Sequence, residues 1–221
     1  MKTPLHEALR QVRQLQQAIL EKQRFKGYSG RARALSGCVA LGAALLLDSP
    51  LVPPTVEAHL LTWAVVFALG LALNYGALVY WFWHDPEVGR DPRRLWPALE
   101  VVPSLLVGGV LTLALVDRQQ YNLLFGLWMV VFGLTNFPSR QVLPRGLPWV
   151  GMYYIAFGAA CLLLWPTLSF LQDSLVMGGV FFVGEFFGGL ILHFDEKPMP
   201  SLRTFFGLPA APPTGGDEAN F

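Results

Sequence analysis

Glu185 is the residue whose type and placement could do chemistry. It sits in the middle of SLVMGGVFFVGEFFGGLILHF, Ser174 to Phe194, bracketed by Gly178, Gly179, Gly184, Gly188 and Gly189. Such a stretch is long enough to cross a bilayer as a helix, for which ~20 apolar residues suffice. An ionisable residue such as Asp costs about 2.5–3.5 kcal/mol at mid-membrane, so a carboxylate there must gain something. Small residues let helix backbones approach, so Gly184, Gly188 and Gly189 place Glu185 inside a bundle. Two roles fit: a site for a proton, cation or ligand, or a protonated acid bonding a neighbouring helix. No Lys or Arg falls within an apolar span away from its ends. Glu185 is therefore expected to rest protonated, with no fixed cation beside it.

Other polar residues gather toward one end of the apolar spans. Asn74, Tyr75, Glu100, Asn136 and His193 would suit an inner vestibule, though each also has an ordinary interfacial reading. Glu100 would stand at a helix N-terminus, where the dipole favours an acid, within reach of Arg93 or Arg94. Tyr80-Trp81-Phe82-Trp83, with Trp96, Trp149 and Tyr153, reads as an interfacial aromatic belt rather than a pigment cage. A bis-histidine haem needs two facing histidines, and only His84 and His193 share a side. Cys38 and Cys161 fall in separate spans, and no CxxC or zinc spacing is present. The sequence carries no nucleophile elbow, P-loop, dinucleotide fingerprint or HExxH. These readings imply no metal, no cofactor and no enzymatic activity.

The elements that must position Glu185 are helices. Six apolar spans follow one another: about Ala34–Leu47, Leu60–Trp83, Pro97–Val116, Asn122–Phe137, Pro148–Trp165 and Ser174–Phe194. The first is short, so it is expected to begin earlier, with Arg31 and Arg33 snorkelling to the headgroups. Pro103 should bend the third, since it cannot bond back to Leu99. Trp63–Leu69 resembles Trp128–Leu134, a faint repeat that suits three hairpins, spans 1–2, 3–4 and 5–6. Ahead of the spans, Thr3-Pro4 caps a helix in which Leu5, Ala8, Val12, Leu15 and Ile19 keep heptad spacing. That amphipathic seam could lie on the membrane, pair with a second copy or dock beneath the bundle.

Bulk numbers agree. The chain is 53% hydrophobic and only 14% charged, where soluble domains carry about 25% charged residues. Its net charge of +1 hides an asymmetry, because residues 1–33 hold eight Lys/Arg against two Glu. That pattern speaks of membrane orientation and not of nucleic acid, which needs an extended basic surface. Six spans leave fifteen Lys/Arg on one side and Arg118 alone on the other. The positive-inside rule then puts both termini in the cytoplasm. No signal peptide is expected from the polar N-terminus. The tail after Phe194, rich in Pro, Gly and Ala, is expected to be largely disordered, with Phe205 and Phe206 resting on the inner interface.

The layout resembles a family of small six-helix bacterial inner-membrane proteins of no assigned activity. The resemblance lies in Phe25–Gly37, in Gly126-Leu127-Trp128 with Gly133, and in Gly184–Leu192. Relatives carry His in the last motif where this chain has Glu185. Members accompany winged-helix regulators, which implies sensing or regulation. The expected fold is all-α: a cytoplasmic amphipathic helix (residues 1–28), a six-helix transmembrane bundle (29–194) and a cytoplasmic tail (195–221). The expected function is a regulatory or interaction module, with the lipid bilayer, a second copy or another protein as partner. The alternative is a small transporter or channel using Glu185.

Overall fold

The computed structural model describes residues 27–85, 92–137, 144–165, 167–196, 202–206 and 208. Among them every regular element is helical. The amphipathic seam Leu5–Ile19 and most of the tail lie outside the described residues.

Six helices carry the fold: α1 Gly30–Leu47, α2 Val56–His84, α3 Val102–Asp117, α4 Leu124–Leu134, α5 Leu147–Leu163 and α6 Ser174–Glu196. Three of them, α1, α2 and α6, are long and apolar enough to cross a membrane. The apolar α3, α4 and α5 are shorter, at 16, 11 and 17 residues. Local chemistry sets the ends. Ser29 caps α1 by accepting from the Ala32 N–H at 3.4 Å, and Thr55 caps α2 by accepting from Ala58 at 3.3 Å. Pro103 does not bend a helix as expected. A turn at Glu100–Val101 separates the short helix Trp96–Leu99 from α3, and Pro103 stands in the first turn of α3. There its missing N–H costs nothing. At the other end of α3 the chain reverses through Gln119, whose φ of 57° is left-handed.

α1 and α6 form the most extensive helix pair, followed by α4 with α5 and α1 with α2. The hairpin pairs α3–α4 and α5–α6 also touch, less extensively. The α1–α6 register is antiparallel and built on small residues. A Cβ on Gly189 would strike the Gly30 carbonyl, one on Gly37 would lie 3.0 Å from Glu185 Cβ, and one on Gly178 would strike Ala44. Backbones this close gain dispersion that lipid cannot supply. One consequence is geometric: the start of α1 and the end of α6 lie at the same end of the bundle, called here the near end.

The far end is closed by the loop between α5 and α6. Its Leu168 and Phe170 are buried, and the Phe170 N–H donates to Asn122 Oδ1 at 3.2 Å. Phe170 packs against Phe125 with ring centroids 5.0 Å apart, and Trp63 packs edge-on against Phe125 at 5.7 Å. At the near end, Phe205 turns back onto α6, its ring 5.2 Å from His193 and 5.9 Å from Phe186.

Candidate functional site: a buried ion pair between the first and last helices

Glu185 faces the inside of the bundle, 4% exposed, with α1 on one side and α5 on the other. It is not alone there. Arg33 does not snorkel outward but folds along α6, placing Nη2 2.9 Å and Nε 3.2 Å from Glu185 Oε1. The expectation of a carboxylate without a fixed cation is thus corrected. A guanidinium stays charged at every pH a protein meets, so its partner reads as a carboxylate within an ion pair. The physical reason is placement. Gly30, Arg33 and Gly37 share one face of α1, the face that packs on α6, while Arg31 is exposed. A cation on the buried face of a helix finds an anion more cheaply than it reaches water from there.

Two further side chains complete the layer. The Tyr154 hydroxyl lies 3.0 Å from Glu185 Oε1 and 3.3 Å from the Phe181 carbonyl. It has one hydrogen, and the nearer, charged oxygen is the stronger acceptor. Arg33 Nη2 also donates to Asn136 Oδ1 at 2.7 Å, and Asn136 Nδ2 donates to the Phe132 carbonyl at 3.1 Å. Three donors therefore converge on a single oxygen, Oε1, from α1 and α5, while Asn136 ties in the end of α4. α1, α5 and α6 meet at the carboxylate, and Asn136, just past α4, is linked to it through Arg33.

The glycines around Glu185 have separate tasks. A Cβ on Gly188 would lie 2.6 Å from Arg33 Nε, so its absence is the channel through which the guanidinium passes. A Cβ on Gly184 would strike the Tyr154 ring, so that glycine admits the second donor. Gly178 and Gly189 face α1, whereas no described atom lies within 4 Å of a Cβ on Gly179.

Of the polar residues expected to line a vestibule, only Asn136 joins Glu185. Asn74 Nδ2 donates to Ser36 Oγ at 3.0 Å and to the Gly70 carbonyl at 2.9 Å. The Tyr75 hydroxyl donates to the Ala98 carbonyl at 3.1 Å, Glu100 is exposed, and His193 is buried beneath Phe205. A groove of about 590 Å³ does open between α5 and α6, but Phe157, Cys161, Trp165 and Val183 line it, away from Glu185. Just outside α1, burial pushes the Tyr28 phenol well above its ordinary value, with Tyr75 and Glu100 adding to the rise and Arg33 opposing it.

Among the described residues the fold is all-helical, with three helices long and apolar enough to cross a membrane and a largely buried ion pair between the first helix and the last. Compared with protein-family models, curated proteins and solved structures, the chain matches none.

Proposed function

We propose that this chain is a non-enzymatic, six-span protein of the bacterial inner membrane, both termini cytoplasmic, that acts as a regulatory or interaction module. The observation that carries the reading is the state of Glu185. Its side chain is 6% exposed, and Arg33 and Tyr154 already occupy Oε1. A transport site must reach water from one side at least, whereas a carboxylate held this way joins helices. The shared near end of α1 and α6 suits termini on one side of the membrane, and the cation count suits the cytoplasmic side. The three shorter helices are read as spans because each is apolar throughout its length. In this reading the bundle is a rigid membrane platform, and the partner is engaged by the segment carrying Leu5, Val12, Leu15 and Ile19.

Two measurements test it. Proteoliposomes holding the intact protein should pass protons and monovalent cations no faster than empty vesicles. Flux that vanishes with Glu185→Gln would replace this reading with transport. Val12→Asp combined with Leu15→Asp should lower the mass of the complex in detergent while leaving the bundle folded. An unchanged mass would remove the heptad seam as a contact surface.

A further inference from the structure

The far end holds a second polar site, unconnected to the ion pair in sequence or chemistry. Three buried polar atoms there have no hydrogen-bond partner among the described residues: His59 Nε2, Trp63 Nε1 and Ser174 Oγ. His59 is fully buried and Trp63 is 5% exposed. A polar atom so buried is costly if it bonds nothing, and folded proteins rarely leave one in that state.

The two ring nitrogens on α2 are complementary. His59 Nδ1 lies 3.0 Å from the Thr55 carbonyl, which can only accept, so Nδ1 carries the proton. Nε2 of the neutral ring is therefore an acceptor. Trp63 Nε1 is a donor and nothing else. The residues are four apart on α2, so their side chains leave one face of the helix. Only a group that donates and accepts through one atom serves both, and a hydroxyl is the smallest that does. The walls are aromatic: Phe170 lies 6.0 Å from the His59 ring and Phe125 lies 5.7 Å from the Trp63 ring.

We propose that His59 and Trp63 form a binding site for one hydroxyl group, from water or a small alcohol, closed over by Phe170. The hydroxyl donates to His59 Nε2 and accepts from Trp63 Nε1.

The test is nuclear magnetic resonance on the full chain, ¹⁵N-labelled at tryptophan, in perdeuterated detergent. Trp63→Phe assigns the Trp63 indole N–H by its disappearance. In the unmodified protein that proton should show a cross-peak to water; added ethanol that replaces it with a cross-peak to ethanol protons marks the site as one for alcohols. A Trp63 indole proton with a cross-peak to neither overturns the proposal without recourse to any His59 variant. His59→Phe should abolish the cross-peak and His59→Gln, which keeps an acceptor, should restore it. A cross-peak of equal strength in both variants would show that His59 holds nothing, and would also overturn the proposal.

Discussion

Gly188 and Arg33 occupy one space: a methyl at position 188 would stand 2.6 Å from Arg33 Nε. The ion pair at Glu185 thus depends on a missing side chain one turn further along α6. Gly188→Ala should displace the guanidinium, the far end of a flexible side chain, and weaken its bonds to Oε1, at a cost of about 1–3 kcal/mol. Gly179→Ala is the control, since no described atom lies within 4 Å of the added methyl, and it should lose no stability, alanine being favoured over glycine within a helix by about 0.5–1 kcal/mol. Denaturation in mixed micelles measures both. Equal stability of the two variants would refute the dependence.

Tyr154 supplies the third donor to Oε1, from α5. Tyr154→Phe keeps the ring that packs 5.2 Å from Phe132 and 5.1 Å from Phe181 while removing the hydroxyl. Interhelical hydrogen bonds in membranes average about 0.6 kcal/mol with a maximum near 1.7, so the loss should fall within that range. A loss well above that range would mean that Tyr154 supports Glu185 by more than one interhelical hydrogen bond.

Tyr28 predicts a dependence on alkaline pH. Its phenol is held above the ordinary value of 10.0, chiefly by burial, so the folded chain binds that proton more tightly than the unfolded one. The stability this contributes is complete below about pH 10 and is lost as pH rises from there toward the folded-state value. Melting curves between pH 9 and 11 should fall more steeply for the parent than for Tyr28→Phe. Parallel curves would show that Tyr28 is as accessible as a free tyrosine.

Orientation is tested by single cysteines in a chain lacking Cys38 and Cys161. Cysteines placed at Glu57 and Gln172 should react with an impermeant thiol reagent in intact cells. One placed at Ser139 should react only after permeabilisation. The opposite pattern would invert the protein in the membrane and, with it, the assignment of the near end to the cytoplasm.

Much of the scaffold was legible because it obeys local rules. Apolar runs expected to end at Leu47 and Trp83 mark helices, and α1 and α2 stop at Leu47 and His84. The inward orientation of Glu185 followed from the cost of exposing a carboxylate to lipid, whatever its partner. The partner was harder to read. Arg33 and Arg31 look alike as cations at the head of a span, and only the spacing Gly30–Arg33–Gly37 separates them, putting Arg33 on the small-residue face. Phe170 was illegible for a different reason. It belongs to a short loop without periodicity, and its burial depends on aromatic rings contributed by α2 and α4. Pro103 misled because a proline inside an apolar run suits a helix start as well as a kink, and the turn at Glu100–Val101 decides between them.

Arg33 and Glu185 are expected to act as one unit joining α1 to α6, and a double-mutant cycle measures their coupling. Arg33→Met, Glu185→Leu and the pair together are compared with the parent for stability in the same detergent. Each single variant should lose about 3 kcal/mol or more, because each leaves the other charge buried and unmatched. The double variant should lose no more than either single, about 3 kcal/mol, giving a coupling of about 3 kcal/mol, at the upper end for residues in contact. Single losses that simply add in the double variant would contradict the account, leaving Glu185 and Arg33 as neighbours that do not hold the helices together.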